Sequence, residues 1–331
     1  MRVKAATKQA IVSSRLLRWM SSLKNSSVIV LRYHSVLEDP AEAAYSIGAG
    51  IIHSAEVFAR QMEYIARECK PVSIEDVLSF VRKSTELPRR AVVVTFDDGF
   101  ADNLEVACPI LQRFDISGVV YVAGSYIGSI PWYSRIRYAF FTSSKDIFND
   151  PFDGTTVRIG NDNARYEAFL KCSRFCAKSD AADIDGKVAA IERALEVKLE
   201  PRKPLMLDWE GVRQLSKAGQ TIGSHTMTHP NLAYVSREEV LAQMHDSREL
   251  IEKNVGHKIK HFSYPSPIME PHWTNHTARA CSEAGYETAV TCTIGAVGRN
   301  DDPLTLRRIS APASMDEFVW KLENEFAGRH V

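Results

Sequence analysis

The sequence predicts an α/β fold, a parallel sheet or barrel wrapped by helices, with a helical insertion on its rim. Three observations predict it. Ala91-Val92-Val93-Val94-Thr95-Phe96 is a near-continuous apolar run, the pattern of a parallel strand covered on both faces. Shorter apolar runs alternate with amphipathic stretches along most of the chain. Polar clusters follow directly on several of these runs, at the edge where barrel folds place their functional loops.

The elements follow in order. Val28-Ile29-Val30-Leu31 is a buried strand ending at Tyr33-His34. Ser54 caps a helix whose apolar face carries Phe58, Met62 and Ile65, and Ser73 starts another with Asp76 at its third position. After the strand at 91–96 come a helix over about 103–114 and the strand Gly118-Val119-Val120-Tyr121-Val122. Residues 131–203 are aromatic, polar and helical, with one short strand at Thr156-Val157-Arg158-Ile159, and read as an insertion on the rim. Alternation then resumes. A helix carrying Val212, Leu215 and Ala218 leads to the strand Thr221-Ile222-Gly223. Ser236 and Glu239 form a capping box for a helix with Val240, Met244 and Ile251 inward. The strand His261-Phe262-Ser263-Tyr264, a helix around 277–284 and the strand Thr288-Ala289-Val290-Thr291 complete the pattern. The chain divides into a basic N-terminal extension, residues 1–27, and one domain over 28–331 that contains the insertion.

Length and composition allow a sizeable core, with 331 residues of which 45% are hydrophobic. Lys plus Arg and Asp plus Glu both number 41, and no arginine-rich signature points to nucleic acid. No apolar run reaches the roughly 18 residues of a membrane span. Residues 1–27 carry Arg2, Lys4, Lys8, Arg15, Arg18 and Lys24 without an acid, and lack the apolar core and cleavage site of a secretory signal. With residue 1 as the natural start, the expectation is a cytoplasmic protein. Ile11, Leu16, Leu17, Trp19, Met20 and Leu23 interleave with those cations at helical spacing. Such a segment packs on the domain as a surface helix, lies on an anionic membrane surface, or is disordered. The six cysteines contain no CxxC pair and read as reduced thiols.

Asp97-Asp98-Gly99 follows the strongest strand. Two adjacent carboxylates repel unless a cation or proton offsets them, and strand alternation sends them in different directions, free for different roles. Gly99 permits a tight turn. The competing explanation is a capped turn into the next helix, with Asp102 and Asn103 as further caps. His225 and His229, four residues apart after a Gly-Ser turn, face one cation together if the segment makes one helical turn. Two histidines and one carboxylate make a three-ligand site with open positions; two core or solvated histidines are the plainer alternative.

At these residues the chain resembles a known family. Thr95-Phe96-Asp97-Asp98-Gly99 is similar to the first motif of the polysaccharide deacetylases (carbohydrate esterase family four, the NodB homology domain). Ser224-His225-Thr226-Met227-Thr228-His229-Pro230 is similar to the second, and the approach from Asp208-Trp209 to Gly223 also fits. The resemblance covers roughly residues 28–310. It implies a distorted, incomplete (β/α) barrel and one divalent ion, zinc as a rule, held by Asp98, His225 and His229. It also implies Asp97 as general base, with the ion polarising an amide carbonyl and activating water. An oxyanion needs a backbone donor as well, and the matching amide is that of Ser266 in Phe262-Ser263-Tyr264-Pro265-Ser266-Pro267.

This third motif departs from the common form, which has an arginine where Ser263 stands and tyrosine-glycine where Ser266-Pro267 stands. The arginine steadies the base, so Arg307 or Arg308 is the substitute to look for, with a surface cation at a strand end as the alternative. The family's late Leu-x-His source of the general acid is also not apparent. His34 is its substitute, since the Tyr33-His34 pair resembles the poly-N-acetylglucosamine deacetylase branch; a hydrogen-bonded core histidine is the alternative. His261, His272 and His276 are weaker candidates, the last two at the rim. Trp132, Tyr133, Trp209, Tyr264 and Trp273 are candidates to stack on a sugar ring or to be core, with Trp209 favoured as core.

The expected reaction is metal-dependent removal of an N-acetyl group from an amino-sugar of a glycan, glycolipid or surface-polysaccharide precursor. The expected partner is an N-acetylated sugar, free in a glycan or linked to lipid or nucleotide, with no nucleic acid and with peripheral membrane contact through residues 1–27. The alternatives are hydrolysis of another C–N or O-acetyl ester bond on the same fold, or glycan binding without turnover.

Overall fold

The structure, a computed structural model, describes residues 27–200 and 204–329. The N-terminal extension with its amphipathic pattern therefore lies outside the described residues, apart from Ser27.

In chain order the strands are β1 (Ser27–Tyr33), β2 (Ser35–Leu37), β3 (Ile52–Ser54), β4 (Lys70–Pro71), β5 (Ala91–Phe96), β6 (Gly118–Val122) and β7 (Ile147–Asn149). There follow β8 (Thr156–Arg158), β9 (Thr221–Ser224), β10 (His261–Ser263), β11 (Thr288–Ile294), β12 (Val297–Gly298) and β13 (Leu306–Ser310). The α-helices are α1 (Ala55–Glu68), α2 (Ile74–Val81), α3 (Cys108–Arg113), α4 (Trp132–Thr142) and α5 (Asp162–Ala177). They continue with α6 (Ala181–Leu195), α7 (Trp209–Lys217), α8 (Arg237–Val255), α9 (Asn275–Glu283) and α10 (Met315–Phe326).

Strands β1, β5, β6, β9, β10, β11 and β13 pair in that order, all parallel, and β13 returns to β1. The ring is a (β/α) barrel. The β1–β5 seam is long and regular, from Val28 opposite Ala91 to Tyr33 opposite Phe96. The far side is distorted: β9 and β10 share the single pair Ser224–Phe262, and β11 and β13 shift register between Val290 and Ile294. Outside the ring, β4 adds parallel to β5 and β12 antiparallel to β1.

Strand alternation sorts the side chains into two cores. Val28, Val30, Ala91, Val93, Val119, Tyr121, Val290 and Leu306 fill the barrel and pack against Ile74, Val77 and Phe80 of α2. Ile29, Leu31, Val92, Val94, Phe96 and Val120 face outward onto helices, meeting Phe58, Met62, Leu111, Leu215 and Met244. One step further along each strand, the inward row turns polar. Thr95, Arg308, Ser263 and Arg32 stand where another valine would be expected. That polar layer is the floor of the site. Gly223 makes room below it, because a Cβ there would lie 2.3 Å from the ring of Tyr121.

Helices α4, α5 and α6 and the β7–β8 hairpin build the rim insertion. Its own core unites Trp132, Ile136, Phe140, Phe148, Phe169, Val188 and Ile191 with Ile52, Phe100 and Met206 from the barrel loops. All six cysteines are free, and only Cys292 is not buried.

Two local expectations need correction. The segment 225–229 is not a helical turn; Thr226 and His229 take φ values of 68° and 56°, and the histidines converge through a left-handed loop. The capping box at α8 is half formed. Ser236 accepts from the Glu239 amide, but the Glu239 carboxylate is drawn away to the Ala181 amide and the Gln243 side chain. Strand β13 and helix α10 carry no expectation, because the Arg307-Arg308 pair breaks the apolar run that would have marked the strand.

Candidate metal centre and active site

Asp97 and Asp98 emerge from β5, a strand buried along its whole length, and Asp98 takes a φ of 77° in the turn that Gly99 completes at 83°. Non-glycine residues in this region store strain and persist where surrounding contacts hold them. Here they are held. A Cβ on Gly99 would lie 2.9 Å from Val122, so the turn packs tightly on β6.

The histidine loop is tied on every side. The His225 amide donates to Val122 O at 2.9 Å, and the His229 amide to Thr226 Oγ1 at 3.0 Å. Gln243 Oε1 accepts from the Met227 and Thr228 amides, both at 2.9 Å. Thr228 O accepts from Trp132 Nε1 and Tyr126 Oη, both at 3.1 Å. Trp132 is thus a buried brace for this loop, not a sugar platform.

Nε2 of His225 and Nε2 of His229 each lie 3.4 Å from Asp98 Oδ1, and all three residues are buried. Asp98 Oδ1 receives no hydrogen bond from the described residues. Ligand atoms about 2.1 Å from a tetrahedral ion stand roughly 3.4 Å apart, so each imidazole stands from the carboxylate as two ligands of one small divalent ion do, and all three donor atoms lie within 4.8 Å of one another. Nδ1 of His225 pairs with Ser263 O at 2.7 Å, which places its proton there and turns the Nε2 lone pair inward. Burial by itself would raise the Asp98 pKa, but the two imidazoles beside it hold it well below the usual carboxylate range. Burial also lowers the pKa of His229, against the pull of Asp98. A carboxylate and two neutral imidazoles are the state that binds a cation. Among the described residues this is the one group of three acidic, histidine or cysteine side chains with such spacing.

Asp97 has a different environment. Arg308 Nη1 donates to Oδ1 at 2.8 Å and Nη2 to Oδ2 at 2.7 Å, a bidentate fork. Arg308 is itself buried and oriented by Thr291 O at 2.9 Å and Thr95 Oγ1 at 3.2 Å. Ser263 Oγ sits between them, 3.1 Å from Asp97 Oδ1 and 3.0 Å from Arg308 Nη2. Burial would raise the Asp97 pKa, but the Arg308 guanidinium, followed by His225, holds it well below the normal range. Arg307, the other arginine considered, points elsewhere and pairs with Asp301 at 2.7 Å.

His34 follows β1 and is half-buried. Burial pulls its pKa down to about 4 against the opposing charges of Asp98 and Asp97, so near neutral pH it is an uncharged imidazole. Its loop is anchored by Asp102. The Asp102 carboxylate accepts from Ser35 Oγ at 2.6 Å and the Val36 amide at 2.9 Å, and Asn103 Nδ2 donates to His34 O at 2.7 Å. Asp102 and Asn103, read as helix caps, instead strap the His34 loop to the β5 turn; the Asp102 side chain makes no cap bond.

Ser266 lies half-buried in the loop after β10, its hydroxyl 3.4 Å from Arg32 Nη1. Tyr264 is fully buried, its hydroxyl donating to Leu304 O, and belongs to the core; Trp209 packs against that same core. Trp273 is half-buried and bonds Thr293 at the rim. His261 lies at the start of β10, paired with Glu75 and Thr288 at the opposite end of the barrel. His272 is at the rim beside Glu270, and His276 is exposed on α9.

Tyr133 is the residue whose place the sequence conceals most. Read only as a stacking candidate, it packs its ring on His229 at 4.9 Å between centroids. Its hydroxyl is buried and has no hydrogen-bond partner among the described residues. Burial and then the charge of Asp98 hold its pKa well above the usual phenol value, so it stays a donor.

Comparison with known proteins agrees with this arrangement. The YxkH protein of Bacillus subtilis (strain 168) is 19% identical over 301 residues, spanning 90% of this chain and 76% of its own length. The poly-beta-1,6-N-acetyl-D-glucosamine N-deacetylase of Escherichia coli (strain K12) is 28% identical over 104 residues, which are 31% of this chain and 15% of that enzyme. The structure of the Streptococcus pyogenes deacetylase PplD in complex with acetate shares the fold, with a TM-score of 0.60, 17% identity, and coverage of 91% of this chain and 99% of that one. The sequence profile described as "Polysaccharide deacetylase" matches residues 84–289, a span running from the approach to β5 into β11 and holding Asp97, Asp98, His225 and His229. With that match over more than half its length, and with its metal-ligand triad at the mouth of a parallel barrel, the chain belongs to the polysaccharide deacetylase family and is built as a metal-dependent hydrolase.

Proposed function

We propose that this protein removes an N-acetyl group from an amino-sugar of a glycan, glycolipid or surface-polysaccharide precursor. The observation that carries the reading is the pairing of two unlike carboxylates. Asp98 faces two imidazoles, and its neighbour Asp97 is locked to Arg308. Two further likenesses support it: a relative named as an N-deacetylase of poly-N-acetylglucosamine, and a shared fold with a deacetylase whose structure holds acetate.

Two imidazole nitrogens and a carboxylate oxygen suit zinc, and we assign zinc as the ion held by Asp98, His225 and His229. When bound, it would polarise the amide carbonyl and acidify water. Asp97, ionised through Arg308, accepts the proton of the attacking water. We assign the Ser266 amide and the Tyr133 hydroxyl as donors to the developing oxyanion. His34 takes part as a neutral imidazole near the departing amine, and the proton that amine needs is the one Asp97 has accepted.

The test is acetate release from a panel of N-acetyl sugars and oligosaccharides by zinc-loaded protein, beside Asp97→Asn and His229→Ala. Release by the wild type and by neither variant is the expected result. Folded, zinc-bound wild type that releases nothing from any member would overturn the amino-sugar assignment.

A further inference from the structure

The inward row at the barrel mouth holds two arginines, and among the described residues only one of them is paired with a carboxylate. Arg308 is forked onto Asp97. Arg32 follows Val28 and Val30 along the inner face of β1, so it too stands in the polar layer above the barrel core. Arg32 is half-buried, and among the described residues its guanidinium bonds two hydroxyls and a thiol. Nη2 donates to Ser310 Oγ at 2.5 Å, and Nη1 contacts Ser266 Oγ at 3.4 Å and Cys292 Sγ. Among the described residues none of its partners is a carboxylate.

The position ties this charge to the reaction centre. Ser266 belongs to the loop assigned above to the oxyanion, and Cys292 lies on β11 one inward step beyond Val290. The charge of Arg32 is felt by His34 and His272, which also sense Asp98 and His229 respectively. Counted by charge alone, Asp97 and Asp98 offset Arg308 and Arg32, and Glu270 stands at the rim beside His272, so a divalent ion bound at the triad would make the centre of the mouth positive. A neutral acetamido sugar brings no ground-state charge to meet it, and a half-buried guanidinium that pairs with no carboxylate among the described residues is open to an anion.

We propose that Arg32, with the hydroxyls of Ser266 and Ser310, is a binding site for a phosphoryl group carried by the substrate sugar. This rests on the amino-sugar reading and narrows it to sugar phosphates and sugar diphosphates. The donor set favours phosphoryl over carboxylate. A fork alone serves a planar carboxylate, whereas a guanidinium flanked by two hydroxyls offers donors to three oxygens of a tetrahedral anion. Ser310 is exposed, so the phosphoryl group and its further substituent have a way out to solvent.

The experiment uses the zinc-loaded protein and two probes, N-acetylglucosamine 1-phosphate and the neutral methyl glycoside of N-acetylglucosamine. Calorimetry reads binding of both, and acetate release is read in the same samples. The wild type is expected to bind the phosphorylated probe at least about tenfold more tightly. In Arg32→Met that preference falls at least tenfold, Arg32→Lys recovers part of it as a point charge without the fork, and the exposed Ser310→Ala lowers it by roughly two- to fivefold. An equal affinity of wild type for the two probes overturns the proposal, and so does a preference that survives in both Arg32→Met and Ser310→Ala. Binding separates this outcome from the parent reading. Arg32-dependent binding without acetate release sinks deacetylation and leaves the phosphoryl site, while release from the neutral probe without phosphoryl preference does the reverse. Uridine diphosphate and short-chain polyprenyl diphosphate derivatives of the same sugar then distinguish a nucleotide carrier from a lipid one.

Discussion

Arg308 grips Asp97 through two parallel hydrogen bonds of 2.8 and 2.7 Å, and the two residues lie 211 positions apart in the chain. Both are buried, so neither can discharge into solvent. Replacing Arg308 by Met leaves an uncompensated buried carboxylate, a change that costs about 3–5 kcal/mol. The pH profile moves too. The guanidinium lowers the Asp97 pKa and burial raises it, so without the guanidinium the acid limb of kcat/KM shifts to higher pH. Denaturant unfolding and a pH–rate profile of Arg308→Met beside wild type check both effects; an unmoved limb would show that Asp97 is not the titrating base.

Ser263 stands where the common family motif has its arginine, with its hydroxyl 3.0 Å from Arg308 Nη2. Ser263→Arg alone puts a second guanidinium against a carboxylate already paired, in a fully buried position. Loss of at least about 3 kcal/mol and of activity is expected. Combining Ser263→Arg with Arg308→Ser restores one arginine to one aspartate. The double variant should be more stable than the sum of the single effects by more than about 1 kcal/mol. A double-mutant cycle on unfolding free energies measures this, and additive effects would mean that the two positions do not share Asp97.

Metal binding at the triad should appear as stabilisation. An ion at about a hundred times its Kd adds roughly 2.7 kcal/mol to unfolding. Thermal unfolding of stripped protein with and without zinc should show this shift in the wild type and lose it in Asp98→Asn and His229→Ala. Equal shifts in all three would place the ion elsewhere.

The Tyr133 hydroxyl is buried without a partner among the described residues, which costs about 1–3 kcal/mol. Tyr133→Phe is therefore expected to stabilise the metal-free protein by about 1 kcal/mol and to lower kcat roughly tenfold. Calorimetric unfolding paired with steady-state kinetics tests this trade. A variant that is both less stable and fully active would make the tyrosine a packing residue.

Asp102 carries a pH signature of its own. Burial pushes its pKa up to about 7 despite the bonds from Ser35 and Val36. The folded-state value lies above that of the unfolded chain, so its contribution is fully present below about pH 4 and is lost as pH rises toward 7, by up to about 1.4 kcal/mol per unit. Asp102→Asn removes this slope. Unfolding free energies of both proteins between pH 4 and 8 should diverge in favour of the variant as pH rises, and parallel curves would refute the assignment.

The sequence by itself determined the barrel strands with strong apolar runs, and with them Asp97, Asp98, His225 and His229. These residues are legible because each sits in a short motif directly after a strand, where period-two patterning and turn residues act locally. It left the metal-site geometry open, since four-residue spacing suggested a helix where left-handed residues at Thr226 and His229 do the turning. Tertiary structure alone decided which arginine reaches Asp97. Closure of the ring brings β13 next to β1 and β11, and β1 next to β5, so Arg308 enters the polar layer while its neighbour Arg307 faces away to Asp301. It likewise decided that Tyr133 from the rim insertion lies on His229, and that Arg32 stands in that layer without a carboxylate partner among the described residues. Local pattern states which face of a strand a side chain takes; only closure of the barrel states whom it meets there.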